Sequence, residues 1–390
     1  MNQTVRRAKA VIFTTVHRGT DDRIFHKEAK TLAKAGHEVV LFGTAPQDSF
    51  ADGVRIRAVA KASSRLTRLA ASFRILRRIL DERGDIYHFH DPELIPAGLI
   101  LRLLGKKVIY DVHEDYPKDI LGKPYLPRWL RPLLSAAVRP VESWAAGRMS
   151  AVVTATDAIQ KRFPGSAVLH NYPILDYLCR SHGGGAAAKS EKPFVLYCGT
   201  ISPILGALEM VKGAECASQR YPVQLRLLGF FEDEAIRSEI LRSVASGTVD
   251  YRGIVPMQEV YSNFVGAVAG LVLYHPYPNH IEAMPNKIFE CMACGVPLIA
   301  SDFPLWRKII YDQGCGLVVN PLDVQEIANA IIYLMEHPEE ARKMGERGRE
   351  LARTKYSWES EEKQLLSLCD ALLQKKPKRL TRSATISSAP

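Results

Sequence analysis

Two acidic residues and a lysine lie close together in the second half of the chain. Glu282 and Glu290 are separated by seven residues, and Lys287 stands between them. Pro285 suits the first turn of a helix, because its missing N–H is unbonded there anyway. We therefore expect a helix with Lys287 in its first turn and Glu290 further inside. A helix start offers N–H groups and a positive dipole end, which suits a diphosphate. Simple helix capping by Glu282 is the alternative.

Histidines mark the ends of two strands in the first half. His113 follows the predicted strand Lys107–Asp111. Ligands of open α/β sheets bind at the carboxyl ends of the strands, so His113 is a candidate for contact with a substrate. A hydrogen bond to a neighbouring acidic residue is the alternative. His88 and His90 alternate along another strand, so we expect one of them to face inward in a structural or acceptor-side role.

The loop after the first strand is a third candidate region. It contains Gly19 and Arg23, and the arginine is placed to approach a phosphate or an acceptor. A salt bridge between Arg23 and Asp22 is the alternative. Asn171 closes the last strand of the first half, and we expect it to line a cleft between domains.

Strands and helices alternate in both halves, and this alternation predicts parallel βαβ units. In the first half the strands are predicted at Ala10–Thr15, Glu38–Phe42, Ile86–Phe89, Lys107–Asp111, Val152–Thr154 and Ala167–Leu169, with helices at Asp22–Ala35, Leu66–Leu80 and Pro92–Leu104. In the second half the strands are predicted at Phe194–Cys198, Val223–Leu228, Val249–Arg252, Leu271–Tyr274 and Pro297–Ala300. The fold class is α/β: two Rossmann-like doubly wound domains facing across a cleft.

The predicted boundaries follow from composition. Residues 1–178 form the basic N-terminal domain, and the Gly/Ala/Ser-rich stretch 179–192 is the linker. Residues 193–356 form the C-terminal domain. A helix over residues 357–374 is expected to cross back to the first domain, and the tail 375–390 is expected to be disordered.

Composition excludes several classes of protein. The chain of 390 residues has no apolar run of transmembrane length, and its short apolar start lacks a signal-peptide cleavage site. Cys291 and Cys294 form the one CxxC, without a second pair at zinc spacing. We interpret both as buried thiols in a reducing cytoplasm.

Positive charge is concentrated near the N-terminus. The net charge is +10, and residues 1–140 hold 25 Lys/Arg against 15 Asp/Glu. Arginines are mixed with Leu, Ile, Phe and Trp in Lys61–Leu80 and Tyr125–Trp144. Such basic amphipathic stretches suit an anionic membrane surface, although ordinary helices with solvated charges show the same pattern. No nucleic-acid-binding module is recognised, so we expect no nucleic-acid partner.

E-x7-E followed by MACGVPLIASD is similar to the signature of the group 1 glycosyltransferases, which form family 4 of the glycosyltransferases. The resemblance extends over TDDRIFHKEAKTLAKAGHEVVLF, YHFHDPELIP, YDVHEDYP, HNYP and YCGTISPILG, and so covers nearly the whole chain. It implies a retaining, metal-independent enzyme of the GT-B fold with a nucleotide-diphosphate sugar as co-substrate and no other cofactor.

The resemblance also implies roles for residues. Glu290 would bind the nucleotide ribose, Glu282 would face the donor sugar, and Lys287 would neutralise the leaving diphosphate. His113 would contact the donor sugar near its reacting carbon. The remaining donor-side residues would be Ala283, Met284, Asn286, Gly199 and Thr200, and those on the acceptor side or in the cleft would be Gly19, Arg23 and Asn171.

One departure from the family pattern concerns diphosphate binding. Relatives often carry two cations at the start of the second domain, where this chain has Thr200 and Leu205. Charged hydrogen bonds contribute roughly 1.5–3 kcal/mol each, so another cation must compensate or donor binding is weak.

The expected function is transfer of a sugar from a UDP- or GDP-linked donor to a glycan or polyprenyl-linked acceptor, in bacterial surface polysaccharide synthesis. The expected location is cytoplasmic, with peripheral contact on the cytoplasmic face of the inner membrane. A nucleotide-sugar epimerase or sugar-phosphate synthase on the same fold and a non-catalytic scaffold are the alternatives. A dinucleotide dehydrogenase is disfavoured because VHRGTDDR follows the first strand instead of GxGxxG.

Overall fold

The computed structural model describes residues 7–60, 74–123, 126–176, 192–255 and 257–374. The predicted tail, nearly all of the predicted linker and residues 66–73 of the predicted helix Leu66–Leu80 lie outside the described residues. Contacts divide the chain into two compact units. Unit 1 comprises Met1–Asn171 and Glu361–Pro390, and unit 2 comprises Tyr172–Ser360.

Unit 1 contains an eight-stranded sheet with the order β3-β4-β2-β1-β5-β6-β7-β8. Its strands are β1 (Lys9–Arg18), β2 (Glu38–Thr44), β3 (Ser49–Ala51), β4 (Val54–Val59), β5 (Ile86–Phe89), β6 (Lys107–Val112), β7 (Ala151–Thr154) and β8 (Ala167–Val168). Its helices are α1 (Asp22–Lys34), α2 (74–81), α3 (Ile95–Leu103), α4 (Tyr116–Gly122), α5 (Leu130–Ala146) and α6 (Asp157–Gln160).

The middle of this sheet is buried on both faces. Val11, Ile12 and Phe13 of β1 are fully buried in succession, as is typical of a parallel strand covered by helices on both sides. All strand pairs are parallel except β3 with β4.

The hairpin of β3 and β4 was missed by the sequence interpretation. Asp52 and Gly53 connect the two strands, and both have positive φ, at 50° and 81°. An Asp-Gly pair is a favoured two-residue hairpin turn, because both central residues of that turn need positive φ. The signal was therefore present in the sequence.

Unit 2 contains a six-stranded parallel sheet with the order β11-β10-β9-β12-β13-β14. Its strands are β9 (Phe194–Cys198), β10 (Gln224–Leu228), β11 (Val249–Gly253), β12 (Ala267–Val272), β13 (Leu298–Ser301) and β14 (Gly316–Val319). Its helices are α7 (Ala207–Ser218), α8 (Glu234–Ala245), α9 (Met257–Val260), α10 (Pro278–Ile281), α11 (Asn286–Cys294), α12 (Pro304–Trp306), α13 (Val324–Glu336) and α14 (Pro338–Thr354).

The two sheets confirm the predicted fold class of two Rossmann-like doubly wound domains. Apolar clusters cover both faces of the second sheet. The predicted strand Leu271–Tyr274 lies earlier, at Ala267–Val272, because the apolar run is longer than the segment that pairs with β9 and β13. None of the described helices is long and apolar enough to cross a membrane.

The last helix, α15 (Trp358–Gln374), joins the two units in the chain. Its residues from Glu361 onward belong to unit 1, where a Glu361 carboxylate oxygen lies 3.3 Å from Nδ1 of His170. Lys107 donates to the Leu373 carbonyl at 3.0 Å. Burial lowers the pKa of His170, but hydrogen bonds and charges of Glu361 and Asp157 outweigh it and raise that pKa above its usual value.

A raised histidine pKa predicts a pH dependence of stability. The contribution of His170 should be fully present below its unfolded pKa and lost as pH rises through its higher folded pKa. The stability difference between wild type and His170→Asn should therefore be largest in acid and shrink above neutrality, as measured by urea unfolding across pH. Glu361→Gln should reduce this dependence, because Asp157 still acts on the His170 ring. A difference that stays constant with pH would contradict the assignment.

Candidate functional site

Lys287 is the centre of a polar group at the carboxyl end of the unit 2 sheet, which we call the lysine site (Lys287, Tyr274, Tyr197, Gly199 and Glu290). Its ammonium donates to the Tyr274 hydroxyl at 3.2 Å. The same group lies 5.6 Å from the ring centre of Tyr197 and 5.7 Å from that of Tyr274. Such distances are typical of cation–π contacts, which hold the charge in place without neutralising it.

Gly199 gives the lysine its space. A Cβ atom built on Gly199 would lie 2.5 Å from Cε and 2.7 Å from Nζ of Lys287, so the ammonium rests against this backbone. Gly199 also has φ of +135°, which side-chain-bearing residues rarely adopt. A Cβ on Gly229 would lie 1.8 Å from the Gly199 carbonyl oxygen. The ends of β9 and β10 therefore require glycine for a steric reason.

Helix α11 brings its N-terminus to the same place. Pro285 occupies the N-cap position, one residue earlier than a first-turn position, and its side chain makes no capping hydrogen bond. Lys287 is the second residue of the helix and Glu290 the fifth. The positive helix end and the ammonium thus act together at the site.

Glu290 is partly buried, and its charge acts on nearby thiols. Burial and then the Glu290 charge raise the pKa of Cys198 to about 12. Burial likewise raises the pKa values of Cys291 and Cys294. All three thiols are free and protonated at neutral pH, as expected for the buried CxxC.

The loop before α11 is fixed by hydrogen bonds. Trp306 donates its indole N–H to the Ala283 carbonyl at 2.8 Å. The Ala283 N–H donates to the His280 carbonyl at 3.1 Å. Glu282 is exposed, and the Met284 side chain packs against the core.

Thr200 and Leu205 stand where relatives often carry cations. The Thr200 carbonyl accepts a hydrogen bond from Tyr197 at 2.6 Å, and Leu205 packs against the unit 2 core. Because Lys287 rests against Gly199, its positive charge lies directly beside Thr200 in the chain. The lysine therefore supplies a cation next to the neutral position.

In unit 1, two side-chain contacts join residues five apart at the start of α1. The helix is π-type over Asp22–Ala29, and residues five apart lie one above the other in such a helix. Lys27 donates to Asp22 at 2.6 Å, and Arg23 Nε lies 3.0 Å from Glu28 Oε1. Both pairs have the five-residue spacing. The structure therefore has a wide turn with side-chain contacts five residues apart, where periodicity predicted an α-helix.

Arg23 is buried, and its expected approach to a phosphate or acceptor is wrong. Its guanidinium donates to both carboxylate oxygens of Asp111, at 2.9 and 3.1 Å, and to the Leu169 carbonyl at 2.7 Å. The alternative pairing with Asp22 is also wrong, because Asp22 pairs with Lys27. Arg23 is 3% exposed, so it holds the end of β6 and cannot reach a ligand in this conformation.

The residues around Arg23 form a buried network in which burial and neighbouring charges shift the pKa values. Burial and then the Asp111 charge raise the pKa of Glu28 well above its usual value. Burial acts to raise the pKa of Asp111 as well, but Arg23 and nearby histidines hold it well below its usual value. Burial lowers the pKa values of His88 and His90. The Arg23–Asp111 pair therefore carries the charge, and burial favours the neutral forms of Glu28, His88 and His90.

Among the described residues, Glu28, His88, His90 and Asp111 have the geometry to hold a metal ion. One ligand atom from each lies within 4.8 Å of the others. Arg23 already contacts both carboxylates, however. A divalent cation would lie against a full positive charge that water does not screen. The residues suit a buried ion-pair network better than a metal site.

His88 and His90 both face inward, so the expectation that one of them does was wrong. Residues two apart on a strand share a face, and the two rings stack at 4.6 Å. His90 Nδ1 lies 3.0 Å from His113 Nε2. Asp111 Oδ2 lies 3.5 Å from the same nitrogen. His113 therefore stands at the edge of the buried network, with its side chain 20% exposed.

His17 is a neighbour that the sequence interpretation missed. Its ring centre lies 5.6 Å from that of His113, and Nδ1 lies 3.3 Å from Asp21. Burial lowers the pKa of His17, but the hydrogen bond and charge of Asp21 outweigh it and raise that pKa. His17 could have been predicted from its position, because it lies at the carboxyl end of β1, where ligands of such sheets bind.

A pocket of about 510 Å³ lies at the ends of β1, β2 and β4, lined by Arg18, Gly19, Thr20, Thr44, Pro46 and Gln47 among others. Gly19 is required there, because a Cβ atom would lie 2.8 Å from Ile56 Cγ2. Arg18 is exposed, so it supplies the positive charge that Arg23 does not. Asn171, at the end of unit 1, accepts a hydrogen bond from Lys27 at 2.6 Å.

Two family models match the chain. A Glycosyl transferase 4-like domain matches residues 22–168, and Glycosyl transferases group 1 matches residues 185–351. The second match contains Lys287 and both candidate glutamates.

Several characterised glycosyltransferases are similar in sequence to this chain at low identity. An Alpha-D-kanosaminyltransferase of Streptomyces kanamyceticus is 25% identical over 305 residues, covering 72% of this chain and 76% of the relative. An MMP alpha-(1->4)-mannosyltransferase of Mycolicibacterium hassiacum is 22% identical over 303 residues, covering 74% and 71%. An O-antigen chain mannosyltransferase B of Escherichia coli is 28% identical over 172 residues, which is 43% of each chain.

Solved structures show the same fold. Sucrose-phosphate synthase of Thermosynechococcus elongatus has a TM-score of 0.73 at 18% identity, covering 94% of this chain and 99% of that one. Anabaena HepE in complex with UDP and glucose has a TM-score of 0.69 at 15% identity, covering 94% and 100%.

The buried ion pair predicts a large stability effect. Arg23→Met leaves the Asp111 carboxylate buried without its partner, so we expect a loss of about 3–5 kcal/mol, measured by urea unfolding. Arg23→Lys should recover part of it, since lysine keeps the charge without the planar fork. As a matched control, Arg353→Met at an exposed pair should show no measurable loss. An Arg23→Met protein as stable as wild type would refute the network.

Proposed function

Because this chain belongs to the group 1 glycosyltransferases of the GT-B fold, we propose that it moves a sugar from a UDP- or GDP-linked donor to a hydroxyl of a glycan or lipid-linked acceptor. The single observation that carries the donor assignment is the Lys287 ammonium, seated against Gly199 beside the start of α11. A cation and a helix start at one place suit a diphosphate. Anabaena HepE, which shares the fold, was solved with UDP, so UDP is a suitable first probe.

The proposed reaction retains configuration at the sugar carbon. The bond from that carbon to the diphosphate breaks, and the bond to the acceptor oxygen forms on the same face. The acceptor proton passes to an oxygen of the departing phosphate. Lys287 and the start of α11 stabilise the charge that develops on the leaving group, which is where electrostatic stabilisation is most effective. This assignment requires no metal.

Glu290, Glu282 and His113 have distinct proposed roles. Glu290 binds the ribose, and its partly buried place in α11 beside Lys287 supports this role. Glu282 and the loop through Asn286 face the donor sugar. His113 contacts the sugar near the reacting carbon, and its bond to His90 holds the ring in one orientation.

The acceptor belongs, in this proposal, to the unit 1 pocket. Gly19 forms part of its wall and Arg18 gives it a positive charge. A glycan carried on a polyprenyl diphosphate would suit both the pocket and the basic character of residues 1–140. Surface polysaccharide synthesis is the proposed setting, and the E. coli O-antigen relative supports it. The proposed location is cytoplasmic, with peripheral contact to the inner membrane.

A non-catalytic scaffold is the second candidate, because Thr200 and Leu205 lack the cations that many relatives carry. The position of Lys287 against Gly199 favours the enzyme. An epimerase remains an alternative for the same donor site. Product formed without any acceptor sugar would identify it.

The donor assignment predicts which variants lose binding. Lys287→Met and Glu290→Gln should each weaken UDP or GDP binding by roughly 10- to 100-fold in calorimetry, because a charged hydrogen bond contributes about 1.5–3 kcal/mol. His113→Ala should lower turnover and leave UDP or GDP binding unchanged.

Matched controls separate the outcomes. Lys308→Met and Glu346→Gln change exposed residues of the same unit and should bind like wild type. Turnover should persist in excess EDTA. Wild-type affinity in both Lys287→Met and Glu290→Gln would remove the site assignment, and no binding of either nucleotide by wild type would favour the scaffold.

A further inference from the structure

The outward face of α5 exposes large apolar side chains. Trp129, Leu133, Val141 and Trp144 are 69%, 60%, 64% and 53% exposed. Trp129 stands at the N-cap of the helix, and the spacing of Leu133 and Trp144 places them on the same side as Trp129. Val141 lies further round the helix, so Trp129, Leu133 and Trp144 form the stripe, and an exposed apolar stripe of this kind marks an interaction surface.

Charge on this face has one sign. Helix α5 contains one carboxylate, Glu142, which is buried and accepts hydrogen bonds from Tyr110 at 2.9 Å and Arg162 at 2.5 Å. Arg128 and Arg139 are both exposed; Arg128 precedes Trp129 in the chain, and Arg139 flanks the stripe on the helix. The outward face of α5 therefore carries apolar and basic groups, while the one carboxylate of the helix, Glu142, points into the protein.

We propose that this tryptophan face (Trp129, Leu133 and Trp144, flanked by Arg128, Arg139 and Arg148) docks on an anionic lipid membrane surface. Tryptophan suits the boundary between lipid headgroups and acyl chains, since its ring is apolar and its N–H is polar. Arginines attract anionic headgroups. Arg148 lies 3.6 Å above the Trp144 ring, which keeps a positive charge at the apolar stripe. Docking on a membrane does not depend on donor binding. Only the use of this docking, to bring the enzyme to a lipid-linked acceptor, rests on the proposed function.

A second copy of the chain fits the face less well. In a symmetric dimer the same patch meets itself, so Arg128 and Arg139 of one copy would approach those of the other. Like charges brought together oppose such a contact. An anionic surface removes this repulsion and also takes up the apolar side chains.

The positions of the tryptophans allow a direct test. The chain has four tryptophans, and Trp306 and Trp358 are buried at 0% and 1% exposure. A change in emission on membrane contact therefore reports on Trp129 and Trp144. We expect a saturable blue shift with phosphatidylglycerol vesicles, little shift with phosphatidylcholine vesicles, and reversal at high salt. No shift with phosphatidylglycerol would overturn the proposal.

Variants give a second readout by vesicle flotation. Trp129→Ala with Trp144→Ala should abolish flotation with phosphatidylglycerol vesicles, and Arg128→Gln with Arg139→Gln should weaken it about 30-fold, since each basic residue contributes about fivefold. Ile254→Ser, at an exposed apolar site of unit 2, should float like wild type.

Circular dichroism and UDP binding confirm that each variant is folded. Flotation that survives both double substitutions would overturn the proposal. So would a blue shift that grows with protein concentration without lipid, which would indicate a second copy instead. Loss of flotation with UDP binding intact would support it. Absent UDP binding in wild type would count against the donor site alone.

Discussion

The contact between Lys287 and Gly199 is the constraint on which the lysine site depends. The ammonium occupies the space that any side chain at position 199 would need. Tyr197 and Tyr274 hold the charge with their rings and one hydroxyl. The Glu290 charge also acts on Lys287 and helps to raise its pKa, so the lysine and the glutamate act together in this site. The glycines at the ends of β9 and β10 follow from the same need for close backbone approach.

Unit 1 depends on a different use of charge. Arg23 is fully committed to Asp111, Glu28 and a carbonyl, so it fixes structure and leaves ligand contact to others. The π-type turn lies where side chains five residues apart contact each other. The result is a rigid end of β6, from which His113 emerges at the edge of the network. Exposed positive charge is supplied instead by Arg18 at the pocket and by arginines on the tryptophan face.

The sequence predicted the parts of the fold that depend on local pattern. Strands β5 and β9 were predicted at their observed bounds, because turn residues and polarity changes define both ends. The bounds of β12 were predicted less well, because its pairing with the neighbouring strands ends before the apolar run of the sequence does. Periodicity could not predict the π-type turn, because it does not show which side chains five residues apart will contact each other.

The candidate site was predictable to a similar extent. Lys287 and Glu290 were chosen as candidates because type, spacing and family resemblance agreed, and the structure places both near the start of α11. The partner of Arg23 could not be predicted, because Asp111 is 88 residues away and only the sheet brings them together. The prediction for His88 and His90 was wrong because residues two apart on a strand point to the same face. The hydrogen bond from Lys287 to the Tyr274 hydroxyl could not be read from the sequence.

If Lys287 and the start of α11 bind a diphosphate irrespective of the base, inorganic pyrophosphate alone should bind, and calorimetric titration measures this. Wild type and Lys308→Met should bind pyrophosphate with equal affinity, and Lys287→Met should show no measurable binding. Pyrophosphate binding by Lys287→Met at wild-type affinity, or none by wild type, would contradict this assignment.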